Sequence, residues 1–168
     1  MDVTLSQIER DDAFALAALR LQQDREHERP SREGFLVDYA DALLEDFDDY
    51  RGWIAKEPDG RPVGCLLALR VRKLPTLARL GRPEWWYVQQ VFVSTDRRRQ
   101  GIGRRLVHAA QEAATAERIR WVRLNASDAG RPLFDATGFG EPMGRLREWV
   151  PGEGGRSSAL PGVTGSGA

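Results

Sequence analysis

The sequence predicts an α/β fold, a mixed sheet with helices packed on its faces, from three observations. Strand-like and helix-like stretches follow one another in the order β-α-α-β-β-β-α-β-α-β. An Asp59-Gly60 pair separates two apolar runs, which is a strong hairpin signal. A third apolar run ends near Val93 and leads through glycines into an amphipathic stretch, the pattern of strand, tight turn and helix. At 168 residues the chain is long enough for one domain with a full core and short for two.

Each element has its own signal. "VTLSQIER" alternates apolar and polar residues and reads as a first strand. Asp11 is placed to cap a helix on which Phe14, Ala17, Ala18 and Leu21 share a face. Ser31 is placed to cap a second helix, with Phe35, Tyr39, Leu43 and Phe47 at spacings of four. "RGWIAKE" and "PVGCLLALRVRKL" form the hairpin, and "EWWYVQQVFV" follows a loop containing Pro75 and Pro83. A helix from about Gly101 to Glu117 aligns Ile102, Leu106, Ala110 and Ala113. "IRWVRLNA" reads as a strand, "RPLFDAT" as a short helix with Pro132 in its first turn, and "EPMGRLREWV" as a last strand. Residues 1–150 are expected to form the domain. Residues 151–168, rich in Gly, Ser and Pro, cannot bury enough surface to offset their ordering entropy and read as a disordered tail.

Composition narrows the function. No apolar run approaches a membrane span, and the first residues lack the basic-then-apolar pattern of a secretory signal. One cysteine allows no internal disulfide, and with only two histidines no zinc site is expected. A cytoplasmic enzyme or binding module fits, as a monomer or homodimer. The net charge of zero hides a division: residues 1–60 hold 16 acids and 7 bases, and residues 61–168 hold 9 acids and 18 bases. Two partners of opposite sign, or two solvated faces of one domain, both satisfy that asymmetry.

The basic half concentrates in "RRRQGIGRR", where five of nine residues from Arg97 to Arg105 are arginine. A helix beginning here presents unpaired N–H groups and a partial positive charge, and glycines let a ligand approach the backbone closely. Such a turn is a phosphate cradle. A nucleoside-triphosphate loop would need four residues between its glycines and then Lys-Ser/Thr; here the spacing is G-x-G followed by Arg-Arg. A dinucleotide fingerprint would need a third glycine where Leu106 stands. Nucleic-acid binding is disfavoured by the balanced charge and the absence of aromatics among the arginines.

What does match is R-x-x-G-x-G, read as Arg98-Arg99-Gln100-Gly101-Ile102-Gly103 after the strand "VFVS" and before an amphipathic helix. With "ASDAGRPLFDATGFGEPMGRLREW" at 126–149, roughly residues 3–150 resemble the GNAT N-acetyltransferases. The resemblance implies a mixed, largely antiparallel sheet with helices on both faces, its fourth and fifth strands parallel and splayed. It implies acetyl-CoA as cosubstrate and a primary amine of a small molecule or peptide as acceptor, with no metal. The pantetheine arm would run along backbone groups of Val91, Phe92 and Val93, and the N–H of Phe92 or Val93 would hold the thioester carbonyl. The diphosphate would lie on the N–H groups of residues 99–104, with Arg98, Arg99 and Arg104 near the phosphates. Asn125 or Asp128 would hydrogen-bond the pantetheine.

Acetyl transfer from a thioester to an amine needs a neutral amine, a polarised carbonyl and a thiolate that can leave. Where the family often places a tyrosine acid, this chain has Phe134, which has no proton to give. Three readings are open: a thiolate that leaves unassisted or protonated by water, Ser127 as substitute acid, or an acyl-CoA-binding module without efficient turnover. Glu84 is the candidate base, as the nearest acid preceding the fourth strand. Asp24, Glu28, Asp46 and Asp48, around the first two helices, would draw a cationic acceptor such as a polyamine, aminoglycoside or peptide N-terminus. Trp53, Trp85 and Trp86 read as core aromatics rather than a pocket lining.

Overall fold

The structure is a computed structural model that describes residues 3–77 and 81–141. The strand expected at 141–150 and the tail at 151–168 lie outside the described residues, apart from Glu141. Five strands form one sheet in the order of the chain: β1 (Thr4–Gln7), β2 (Tyr50–Lys56), β3 (Pro62–Arg72), β4 (Glu84–Val93) and β5 (Val122–Leu124). Successive strands pair antiparallel except β4 and β5, which run parallel because helix α3 (Ile102–Ala116) crosses over between them. The short helix α4 (Arg131–Ala136) follows β5.

Helices cover both faces. On one, α3 sinks Ile102, Leu106, Val107, Ala110 and Ala114 against Trp53, Leu66, Trp86 and Val88. On the other, α1 (Ala13–Glu26) and α2 (Phe35–Glu45) pack Leu16, Leu19, Ala40 and Leu43 onto Ile54, Cys65, Leu67 and Phe92. Trp53 and Trp86 are core residues, with rings 6.2 Å apart. Among the described residues, no helix is long and apolar enough to cross a membrane.

Details of the helices depart from the sequence reading. A 3-10 turn over Arg10–Asp12 precedes α1, and Asp12, not Asp11, accepts the Glu9 N–H at 2.9 Å and a salt bridge from Lys56. The buried side of α1 is Ala13, Leu16, Ala17 and Leu19, leaving Phe14 exposed, because α1 contacts α2 as well as the sheet. Ser31 caps nothing. The residue before α2 is Gly34, in a left-handed conformation that a glycine tolerates without strain. The hairpin turns at Gly60, also left-handed, between Glu57 and Arg61. The strand expected from 119 to 126 is only Val122–Leu124.

One irregularity sets up the site. Leu67 pairs with Gln90 and Ala68 with Val88, so Gln89 is an extra residue in β4. The bulge shifts the alternation of side chains by one. Trp86 and Val88 face α3, and beyond the bulge it is Val91 and Val93 that join them. Gln90 and Phe92 thereby turn inward toward α1.

Candidate functional site

The parallel pairing of β4 and β5 ends at Val88 and Leu124, while β4 continues for five more residues. From there the second edge of β4 has no strand beside it among the described residues. The register decides which backbone groups face that opening. Ser94 N donates to Val63 O, so Phe92 and Gln90, in phase with Ser94, bond to β3. The groups of Val91 and Val93 point the other way. Of the three residues expected to line a substrate arm, Phe92 is therefore spent on the sheet. Val93 O already accepts the Arg98 Nε–H at 2.9 Å, and Val91 is the position left free among the described residues.

Past β4 the chain makes a 3-10 turn over Thr95–Arg97 and enters α3. The first bond of the helix runs from Arg105 N to Gly101 O. Among the described residues the six N–H groups of 99–104 have no protein acceptor. Two left-handed residues, Arg99 at φ 63° and Gly101 at φ 79°, curl this run of donors. That is a concavity for an anion. A Cβ on Gly103 would lie 3.3 Å from Leu133 of α4, so the cradle abuts the far wall of the opening.

The five arginines divide. Arg97 pairs with buried Glu57 at 2.5 Å, and Arg105 donates to Val3 O at 3.0 Å. Arg98, expected near phosphate, is ion-paired with Glu26 of α1 and lies over the Phe92 ring. Burial pushes the Glu26 carboxyl up, but hydrogen bonds from Thr95 and Arg98 outweigh it and leave it below its ordinary range. Arg99 and Arg104 are exposed and make no ion pair among the described residues. Much of the charge division in the sequence is thus internal, with acids of the first 60 residues holding bases of the rest.

Between β4, β5, α1 and α4 lies a cavity of about 330 Å³. Val88, Gln89, Gln90 and Val91 line it from β4, and Asn125, Ser127, Leu133 and Phe134 from the opposite side. Asn125 Nδ2 donates to Tyr87 Oη at 3.1 Å, and Ser127 Oγ accepts the Gly130 N–H at 3.2 Å. Phe134 is buried edge-on to Phe139, and apolar as the sequence implied. Asp128 stays outside, fully exposed, its carboxylate paired with Arg131 at 3.3 Å.

Glu84 is at the beginning of β4, distant from the cavity wall. Arg70 grips it with two bonds of 2.7 and 2.9 Å, and Trp86 Nε1 adds a third at 2.9 Å. Burial alone would push its carboxyl up, yet these bonds and the charges of Arg70 and Arg72 hold it below the usual carboxylate range. A carboxylate so stabilised is a poor base. Cys65 is no nucleophile either, since complete burial pushes its thiol up to about 12.

The wall from α1 carries residues the sequence reading overlooked: Arg20, Gln23 and His27. Asp24 lies among them, but it is held by Arg20 at 3.1 Å and by Arg29 at 2.9 Å. That wall therefore offers two guanidiniums to one carboxylate, which gives no attraction for a cationic acceptor. His27 Nδ1 lies 2.7 Å from Gln23 O. A carbonyl only accepts, so Nδ1 carries a proton, and the tautomer with a single ring proton has its lone pair on Nε2. No spacing in the sequence signals His27, because it reaches the cavity only through the packing of α1.

Comparison with known proteins agrees with this geometry. The model of the acetyltransferase (GNAT) family matches residues 16–139. No curated protein matches the chain by sequence. Among solved structures, a predicted acetyltransferase from Clostridium acetobutylicum with acetyl-CoA superposes with a TM-score of 0.71 at 20% identity, covering 89% of this chain and 96% of its own. A GCN5-related N-acetyltransferase from Ralstonia eutropha JMP134 gives 0.71 at 21% identity, covering 90% and 100%. A ribosomal-protein-alanine N-acetyltransferase from Brucella melitensis gives 0.64 at 23% identity, covering 89% and 97%. At these identities the likeness is one of fold.

Proposed function

Because this chain belongs to the GNAT acetyltransferase family, we propose that its cavity carries direct transfer of an acetyl group from acetyl-CoA to a primary amine of a small molecule or peptide. The observation that carries the reading is the run of six N–H groups at 99–104 that have no acceptor among the described residues, set beside the open edge of β4. Diphosphate takes the N–H groups, with Arg99 and Arg104 adding charge. The pantetheine amides complete the free backbone groups along β4, and the Val91 N–H polarises the thioester carbonyl.

In the transfer the amine lone pair forms the C–N bond as the C–S bond breaks. The sulfur leaves as thiolate, a tolerable leaving group that needs no acid from Phe134; Ser127 is the hydroxyl on that wall. The proton lost from nitrogen goes to His27 Nε2, in place of the Glu84 expected from sequence. Glu84 keeps a structural role.

Thiol release from acetyl-CoA across an amine panel tests this. The wild type is expected to turn over, and His27→Gln to lose about 100-fold or more in kcat/KM, with partial rescue by added imidazole. Full activity in His27→Gln would remove the base assignment. Tight acetyl-CoA binding without thiol release from any amine would favour a sensor over an enzyme.

A further inference from the structure

The cavity wall contains two buried polar atoms for which the described protein supplies no partner. Gln90 is 2% exposed. Tyr39 Oη donates to its Oε1 at 3.2 Å, which turns Nε2 the other way, and Nε2 has no acceptor. Gln23 Oε1, on α1, is buried with no donor. Both side chains line the same cavity.

The bulge at Gln89 turns Gln90 toward α1; in a regularly alternating strand position 90 would share the face of Trp86 and Val88 against α3. A buried amide left unpaired costs free energy, which a ligand returns by supplying the missing partner.

A free N–H donor and a free carbonyl acceptor in one wall complement a group that offers both on separate atoms. An amide does so. An alkylammonium group offers donors only, and a carboxylate acceptors only. The flanking Arg20, Asp24 and Arg29 give no attraction for a second ammonium group either. Resting on the acetyltransferase reading above, we propose that the acceptor is an amine carrying amides, such as the amino terminus of a peptide, and that Gln90 Nε2 binds a carbonyl and Gln23 Oε1 an N–H of its backbone.

The test is calorimetric titration of the full chain saturated with CoA, which binds without turnover. The probes are alanyl-alaninamide, 1,4-diaminobutane and 2-aminoethanol. The dipeptide amide is expected to bind at least tenfold tighter than either other amine. Gln90→Met and Gln23→Met are each expected to cut the ratio of dipeptide to diamine affinity at least fivefold. Gln23 is only partly buried, so its variant remains informative if Gln90→Met does not fold. Equal binding of the three amines, or a ratio unchanged in a folded variant, would overturn the amide site. Thiol release from acetyl-CoA is followed separately. Selective amide binding without release would overturn the transfer reading and uphold the amide site.

Discussion

Gly101 shows most directly how one residue shapes the proposed anion cradle. Its φ of 79° is strained for any side chain, although open space surrounds the position. A β-branched residue there costs about 1–2 kcal/mol in backbone strain, or turns the N–H groups out of alignment. Gly101→Val is expected to lower acetyl-CoA affinity at least tenfold by titration while the melting temperature falls by only a few degrees. The arginines separate by the same logic. Arg97 compensates buried Glu57, and removing it costs stability; Arg104 has no ion-pair partner among the described residues, and removing it is expected to cost acetyl-CoA affinity in a salt-dependent way.

At the scale of elements, β4 does most of the positioning, and Glu84 secures its start to β3 through Arg70 and Arg72. Because the folded-state pKa of Glu84 is depressed, its stabilisation is fully present above the ordinary carboxylate range and is lost as pH falls through the folded value. Glu84→Gln is expected to cost roughly 1.5–3 kcal/mol at neutral pH, the worth of charge-assisted bonds. The gap between variant and wild type should close under acid, as followed by denaturant unfolding at several pH values. A constant gap across that range would mean the loss is one of packing.

For the whole molecule, α1 borders both halves of the site. Gln22 accepts from Ser94 and Glu26 from Thr95 and Arg98 at the entry to the cradle, while Gln23 and His27 face the cavity. A coenzyme that fills the cradle and the open strand edge should stabilise the entire fold. At a concentration of about 100 times Kd the linkage is about 2.7 kcal/mol, which is roughly 5–11 °C in melting temperature for a chain of this size. Thermal scans with and without acetyl-CoA check it, and CoA lacking its diphosphate half should give little shift.

Local physics was enough to read most of the described elements, and a helix start with unpaired N–H groups, from sequence. Alternation marks strands, Asp59-Gly60 marks a hairpin, and glycines before an amphipathic run mark a helix start that presents N–H groups. These signals arise within a few residues of one another. What tertiary structure alone decided depends on distant segments meeting. Glu26 and Glu57 determine which arginines remain free, and β5 stopping at Leu124 opens the strand edge. One inserted residue in β4, recognisable only from its pairing with β3, turns Gln90 inward, and the packing of α1 brings His27 to the cavity that Glu84 does not reach. Spacing along the chain carries no record of such contacts, because their energies are set by which surfaces the completed fold buries together.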